Sequence, residues 1–218
     1  MICPAETFPA LSRLPSLRAV FLKRCPGIDV LTDRETALAR LWDVHRTTAD
    51  ELGFAGMPFA KAEQVHGKGI ASVSQGGLSP GVDGLITSTP GVCLAIYVAD
   101  CAAIYIAEKT GKAIALVHSG RKGTELGIAR EAILRLDRDH GCPPSSLVVQ
   151  LAPCIRPPHY ETDFAAEILR QCKESGVEDI HDCGTCTASH PADYYSYRRE
   201  KGQTGRMLAL MAILPSQG

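Results

Sequence analysis

The sequence predicts a mixed α/β or α+β fold built as a single domain over residues 1–218. A strand-rich central block runs from residue 70 to 117, and segments with helical periodicity stand on both sides of it. No internal repeat or low-complexity tract interrupts the pattern. With 45% hydrophobic residues, a chain of 218 residues is long enough to bury a sizeable core.

Caps and apolar periodicity predict the first helix. Thr32-Asp33-Arg34-Glu35 is typical of a capping box, so the helix is expected to begin after Thr32, and Gly53 is expected to close it. His45 falls on its apolar stripe and is expected to be a packed core residue rather than a ligand. The stripe consists of Leu38, Leu41, Trp42, Ala49 and Leu52.

Later elements follow from the same signals. In the central block, turns with Gly and Pro separate strands, and the apolar runs 102–107 and 113–117 flank the turn Lys109-Thr110-Gly111-Lys112. Downstream, the pattern predicts a helix over 124–139 ended by Gly141, a buried strand over 147–151, and helices over 164–172 and 204–214.

Cys101 and His118 are predicted to meet on one face of the hairpin formed by 102–107 and 113–117. With Thr110-Gly111 as a two-residue loop, Cys101 faces Gly120 and His118 lies two positions along. Diagonal neighbours across such a pair have Cα atoms about 7–8 Å apart, a span that one metal ion can bridge. The alternative is a buried core cysteine beside a hydrogen-bonded histidine.

His66 offers a third ligand, in Gln64-Val65-His66-Gly67, where an apolar stretch ends. Three protein ligands with one open position are typical of catalytic zinc, because a closed four-ligand site admits neither substrate nor water. The three residues are too far apart in sequence for a local metal motif, so only the fold could bring them together.

Composition excludes several classes of partner. A net charge of −1 provides no electrostatic attraction to nucleic acid or to an anionic membrane surface. No apolar run is long enough to span a membrane. The nine cysteines lack paired spacing and no signal-peptide pattern precedes them, which predicts a cytoplasmic protein with reduced thiols. The oligomeric state stays open.

Eight short motifs follow one another within residues 46–214. They are Gln64-Val65-His66-Gly67, Asp83-Gly84-Leu85-Ile86-Thr87, Ala99-Asp100-Cys101, Val117-His118-Ser119-Gly120, Ala152-Pro153-Cys154-Ile155, Cys186-Thr187, Tyr195-Ser196-Tyr197-Arg198-Arg199 and Thr204-Gly205-Arg206. In this order they resemble the motifs of the YfiH-type laccase-domain proteins. That family is described as zinc-dependent purine nucleoside phosphorylases with adenosine deaminase activity, formerly regarded as multicopper polyphenol oxidases. The resemblance implies a layered α/β/β/α fold with mixed sheets, and one zinc per chain held by His66, Cys101 and His118.

Two departures from the family pattern predict a divergent member. The loop His118-Ser119-Gly120-Arg121-Lys122-Gly123 stands where the family usually has His-Ala-Gly-Trp-Arg-Gly, and the family's Gly-rich N-terminal motif is absent before residue 45. Lys122 stands where the family usually has arginine. Because arginine binds an oxyanion through two hydrogen bonds and lysine through a single charged group, this exchange would alter oxyanion recognition.

The resemblance implies a small-molecule nucleoside and phosphate as substrates. Zinc would activate water against adenosine, whereas phosphorolysis needs cations around a phosphate at the ribose C1′. Lys122, Arg121 and the pair Arg198-Arg199 are the candidate cations for phosphate binding, although each would also suit a solvated surface. Gln64 is a candidate for the purine edge or for a structural role, and Asp100 for an acid or base or for shaping its turn.

Other functions remain as hypotheses. Cys101 could be a nucleophile activated by His118 in a metal-free hydrolase or deamidase, with cell-wall precursors as substrates, or a silenced site could leave a binding protein. Copper oxidation of phenols is disfavoured, because seven histidines without a His-x-His pair are too few for a multicopper centre. His181, Cys183 and Cys186 form a second cluster, interpreted as reduced thiols in a loop rather than as a metal or redox site.

Overall fold

The computed structural model of the protein describes residues 2–215, which form two six-stranded sheets with helices on their outer faces. The helices are α1 (Pro9–Ser12), α2 (Arg34–Ala49), α3 (Arg121–Glu125), α4 (Ile128–His140) and α5 (Phe164–Glu174). The strands are β1 (Ala5–Glu6), β2 (Leu17–Leu22), β3 (Phe59–Ala62), β4 (Ile70–Ser72), β5 (Gly77–Ser79), β6 (Gly84–Thr87), β7 (Cys93–Val98), β8 (Ala102–Glu108), β9 (Ile114–Ser119), β10 (Leu147–Leu151), β11 (Asp179–Asp182) and β12 (Met207–Ile213).

Both sheets are mixed. The first has the order β1-β2-β12-β7-β3-β5, with β3 parallel to β7 and β5 and the other pairs antiparallel. The second has the order β11-β10-β8-β9-β6-β4, with parallel pairs only at its two edges. None of the helices that the structure describes is long and apolar enough to cross a membrane.

Three apolar clusters join these elements into four layers. The largest lies between the sheets and includes Phe21, Leu94, Tyr105 and Leu116. A second packs α2 and the following turn on the outer face of the first sheet, and a third packs α4 and α5 on the outer face of the second. The α/β/β/α arrangement implied by the resemblance is therefore confirmed.

The β8–β9 hairpin has the predicted register. Ala102 pairs with Ser119 and Ala103 with His118, which brings Cys101 opposite Gly120. Gly111 in the turn has a φ of 85°, a conformation that glycine adopts without strain.

The predicted helix over 204–214 is wrong, because this segment contains β12. The strand lies between β2 and β7, and all seven of its residues are buried. A strand packed on both faces has no polar–apolar alternation, so its apolar run is difficult to distinguish from a buried helix by periodicity.

The other helix predictions need smaller corrections. Helix α2 begins at Arg34, because Asp33 rather than Thr32 caps it by accepting the Thr36 N–H at 3.0 Å. The segment predicted as one helix over 124–139 is divided between α3 and α4 by Gly127, which has a φ of 76°. One disulfide, Cys3–Cys25, stands against the expectation that all thiols are reduced.

Tyr105 links the two sheets by a buried hydrogen bond. Its side chain is fully buried on β8 of the second sheet, and its hydroxyl donates to the Val20 carbonyl of the first sheet at 2.8 Å. The ring also packs edge to face on Phe8, with centroids 5.3 Å apart.

Tyr105→Phe is expected to lower the free energy of unfolding by about 1–3 kcal/mol, because the Val20 carbonyl would lose this partner in a dry interface. Urea denaturation measures the change. Tyr197→Phe is the matched control, since Tyr197 is 56% exposed, and a shift within about 0.5 kcal/mol is expected for it. Equal effects of the two substitutions would contradict the role of this bond.

Candidate metal centre

Three segments that are distant in sequence bring His66, Cys101 and His118 together. The potential ligand atoms of these residues all lie within 4.8 Å of one another. His118 belongs to β9, Cys101 immediately precedes β8, and His66 lies in the loop after β3. The two imidazole rings meet edge to face with centroids 4.9 Å apart.

The backbone around this cluster adopts conformations that are rare for residues other than glycine. Gln64, His66 and Asp100 have φ values of 67°, 61° and 83°. Such residues concentrate at functional sites, where the surrounding structure compensates their strain. Position 120 also has no room for a side chain, because a Cβ on Gly120 would come within 2.8 Å of the Cys101 sulfur.

The buried carboxylate of Asp83 orients both histidines. One oxygen accepts the His118 Nδ1–H and the His66 backbone N–H, each at 2.8 Å, and the other accepts the Gly67 N–H at 2.7 Å. Although burial opposes ionisation, these hydrogen bonds lower the pKa of Asp83. With Nδ1 bonded to Asp83, Nε2 is the His118 nitrogen left to bind a metal.

Cys101 and His118 favour each other's charged forms. Burial alone would raise the pKa of Cys101, but hydrogen bonds from His118 and His66 lower it to about 6. Burial alone would lower the pKa of His118, but hydrogen bonds to Asp83 and Cys101 raise it to about 9. A thiolate is therefore available at neutral pH, as metal binding requires.

The donor set fits zinc. One thiolate and two imidazoles are ordinary zinc ligands, and a carboxylate that fixes the imidazole tautomer is their usual partner. Burial decreases from His118, which is 4% exposed, through Cys101 to the exposed His66. The cluster therefore opens towards solvent on one side.

This side faces a cavity of about 890 Å³, within the size range of small-molecule sites. Its walls include the aromatic side chains of Tyr97, Tyr160, Phe164 and Tyr197. His66, Cys101 and His118 all line the same space. An aromatic ring bound in the cavity would thus lie beside these three potential ligands.

Two arginines that the sequence analysis did not assign also line the cavity. Arg34 lies in the first turn of α2, and Arg206 precedes β12 with only 7% of its surface exposed. Burial lowers the pKa of Arg206, and repulsion from Arg34 adds to the effect. Neither arginine forms an ion pair with a carboxylate among residues 2–215. The sequence motif Thr204-Gly205-Arg206 includes this residue, but the prediction of a helix here did not place Arg206 at the cavity.

Asp100 lines the cavity with its carboxylate already bonded. It accepts the Thr187 hydroxyl at 2.7 Å, the Ser196 hydroxyl at 3.0 Å and the Arg198 backbone N–H at 2.7 Å. These bonds connect the β7–β8 turn to the loop that carries Tyr197. Such an arrangement supports a positioning role more than a role as acid or base.

Of the remaining candidates, Gln64 and Arg198 line the cavity and Lys122 does not. Gln64 lines it, but its side-chain amide is already hydrogen-bonded to the backbone of Tyr97. The amide oxygen accepts the Tyr97 N–H at 3.0 Å, and the amide nitrogen donates to the Tyr97 carbonyl at 2.6 Å. Arg198 also lines it, paired with Glu161 at 2.8 Å and stacked over Tyr160. Lys122 is exposed on α3 and is not among the cavity-lining residues.

The second cysteine cluster has no metal-binding geometry in the described part of the chain. His181, Cys183 and Cys186 do not form a group of converging ligands there, and both cysteines are free thiols. His181 instead bonds Asp179 at 2.7 Å.

The chain is similar to proteins named as purine nucleoside phosphorylases. It is 30% identical to one from Deinococcus radiodurans, across 95% of this chain and 94% of that protein. It is 31% identical to purine nucleoside phosphorylase YlmD from Geobacillus stearothermophilus, across 76% of each.

Solved structures share the fold. The crystal structure of YlmD from Geobacillus stearothermophilus superposes with a TM-score of 0.85 at 26% identity, covering 95% of this chain and 94% of YlmD. The hypothetical protein YfiH of Bacillus licheniformis superposes with a TM-score of 0.78 at 20% identity, covering 90% and 92%, and supports the fold alone.

A family model described as multi-copper polyphenol oxidoreductase laccase matches residues 32–166 and 158–214. The match starts earlier than residue 46, where the motif resemblance began. The chain therefore belongs to this laccase-like family, which includes the YfiH type.

Proposed function

We propose that the protein is a zinc-dependent purine nucleoside phosphorylase that cleaves adenosine, inosine or methylthioadenosine with phosphate. The observation that carries the proposal is one cavity that combines the potential ligands His66, Cys101 and His118 with aromatic walls and with two arginines, Arg34 and Arg206, that have no carboxylate partner among residues 2–215. The names of the similar proteins from Deinococcus and Geobacillus point to the same activity.

The reaction exchanges one bond at the ribose C1′. The bond from C1′ to the purine nitrogen breaks, a phosphate oxygen bonds to C1′, and the purine leaves after gaining a proton. When bound by His66, Cys101 and His118, zinc would supply Lewis-acid stabilisation of developing negative charge. The residues of the chain provide binding, orientation and compensation of charge.

Arg34 and Arg206 are the groups proposed to hold phosphate. Their positive charges lie on the cavity wall without carboxylate partners in the described chain, and Arg206 is shielded from water. A guanidinium binds a phosphate through two parallel hydrogen bonds and is weakly hydrated, so it suits a buried oxyanion site. Arg198 is a further candidate. Its ion pair with Glu161 is exposed to solvent, so a phosphate could compete with this carboxylate for the guanidinium.

Tyr97 and Tyr197 are proposed to hold the purine by stacking. Both line the cavity, and Gln64 fixes the backbone of Tyr97 while Asp100 fixes the loop of Tyr197. Gln64 and Asp100 would then act through the residues they position. Adenosine deamination is a second activity that the same cavity is proposed to support.

A metal-free nucleophile is the competing hypothesis. The lowered pKa of Cys101, near 6, and its contact with His118 are also features of a Cys-His hydrolase. A cytoplasmic location is part of our proposal for the enzyme, since seven of the nine cysteines are free thiols.

The direct test is product analysis with adenosine, inosine and methylthioadenosine, each with and without phosphate. Free purine and the sugar 1-phosphate are expected only when phosphate is present, the sugar being ribose from adenosine or inosine and methylthioribose from methylthioadenosine, and a chelator is expected to abolish their formation. Product formation that is indifferent to both phosphate and chelator would exclude the proposal. Inosine formed from adenosine without phosphate would report deamination.

Cys101→Ala is expected to remove the bound zinc and to lower the phosphorolysis rate more than about 100-fold, because an anionic ligand is lost. Elemental analysis and a purine-release assay measure the two effects. The exposed thiol Cys183 provides the control, since Cys183→Ser should leave both unchanged. Zinc-free wild-type protein with full activity would favour the nucleophile hypothesis.

Asp83→Asn is expected to weaken zinc binding by about 10–100-fold, because the amide loses the charge that supports His118 and turns a donor towards the Gly67 N–H. Competition with a chromophoric chelator measures the affinity. Asp179→Asn is a matched control, since Asp179 also bonds a histidine, His181, outside the centre. Unchanged affinity in Asp83→Asn would contradict the orienting role.

Arg206→Lys is expected to raise the KM for phosphate about tenfold, because the compact charge of an ammonium group replaces a guanidinium that binds phosphate through two parallel hydrogen bonds. Steady-state kinetics with phosphate varied at saturating nucleoside measure the effect, and circular dichroism checks folding. Lys122→Ala, measured in parallel, tests the lysine in the loop after His118. A larger increase for Lys122→Ala than for Arg206→Lys would return phosphate binding to the loop after His118.

A further inference from the structure

A second group of potential metal ligands lies apart from the cavity, in the core of the protein. The sulfurs of Cys3 and Cys25 and a ring nitrogen of His45 all lie within 4.8 Å of one another. All three residues are buried, with 3%, 2% and 0% of their surface exposed. None of the three lines the cavity that contains Cys101.

His45 is an unusual core residue because neither ring nitrogen has a hydrogen-bond partner among the described residues. An unpaired polar atom in an apolar interior costs free energy, so such a side chain requires an explanation. Burial lowers the pKa of His45 to about 4, and the ring is therefore neutral at physiological pH. A neutral imidazole carries the free lone pair that binds a metal.

The rest of the cluster is already held in place. The Cys3 N–H donates to the Thr48 hydroxyl at 2.9 Å, and the Tyr195 hydroxyl contacts both the N–H and the carbonyl of Cys25. The His45 ring stacks on Tyr97, with centroids 6.0 Å apart. The Cys3 N–H and both backbone groups of Cys25 therefore have partners, and the side-chain groups that could bind an ion are the sulfurs and the imidazole.

We propose that reduction of the Cys3–Cys25 disulfide creates a second metal site, in which Cys3, Cys25 and His45 bind one thiophilic cation, Cu(I). A dithiol reductant breaks the protein S–S bond, supplies two electrons and two protons to the cysteines, and itself becomes a disulfide. Binding of Cu(I) to the two sulfurs then releases both thiol protons to solvent.

The number and type of donors favour Cu(I). Thiolate sulfur is a soft ligand that selects Cu(I) or zinc, but structural zinc is almost always bound by four ligands. This cluster has three in the described chain, and all three residues are buried. Cu(I) accepts three-coordination. Since the site is closed, it would hold the ion without exposing it to a substrate.

Access to the cluster is compatible with the fold. Cys3 lies two residues before β1, a two-residue strand at the edge of the first sheet. Short edge elements with few backbone bonds open locally at low cost in free energy. Opening there exposes Cys3 to a reductant and to metal without unfolding the two central sheets.

Cu(I) titration against a competing chelator tests the proposal, with Cys101→Ala as the background that removes the first centre. After treatment with a dithiol, this variant is expected to bind one Cu(I) per chain, and without reduction none. Adding His45→Phe, which keeps an aromatic ring beside Tyr97, is expected to abolish binding. Adding Cys183→Ser instead is expected to leave one equivalent.

Two results would overturn the proposal: one equivalent retained after His45→Phe, or the equivalent lost after Cys183→Ser. A preference for Zn²⁺ over Cu(I) in parallel titrations would overturn the choice of ion. Because these readouts count metal in a variant without Cys101, they are independent of phosphorylase activity.

Alkylation mapping of the reduced wild-type protein tests the site without a core substitution. Cu(I) is expected to slow modification of Cys3 and Cys25 at least about tenfold, since a metal-bound thiolate is not free to react. The exposed Cys183 is expected to react equally with and without Cu(I). Unprotected Cys3 and Cys25 at saturating Cu(I) would contradict the proposal.

Discussion

The buried carboxylate of Asp83 is the interaction on which the candidate centre depends. Asp83 immediately precedes β6, where it holds the His118 ring on one strand and the backbone of His66 and Gly67 on a separate loop. The Asp83 carboxylate thus determines the tautomer of the His118 ring and the course of the backbone at His66. Without it, the positive φ of His66 would lack one of the bonds that compensate it.

The sheets supply the remaining geometry. The β8–β9 hairpin brings Cys101 beside His118, and Gly120 leaves room for the sulfur. β7 and β12 lie in the other sheet, and the residues that follow β7 or precede β12, including Asp100 and Arg206, reach the same cavity. The cavity therefore forms where the two sheets meet, and residues from both contribute to it.

Local rules predicted some elements closely and failed for others. The short strand over 147–151 was found with its observed bounds, and the hairpin register followed from one turn. β12 was mistaken for a helix because burial on both faces removes the alternation that identifies a strand. The contacts of Asp83 and the positions of Arg34 and Arg206 at the cavity were not predicted, because each depends on residues far away in the chain.

The sequence by itself determined the register of the β8–β9 hairpin, which puts Cys101 and His118 on one face, because hairpin register is set by nearby residues. Only the tertiary structure decided that His66 joins them, that Arg206 faces the cavity, and that His45 lies beside Cys3 and Cys25. These contacts arise from the packing of two sheets and a helix. Such packing depends on the whole apolar core, and no short stretch of sequence specifies it.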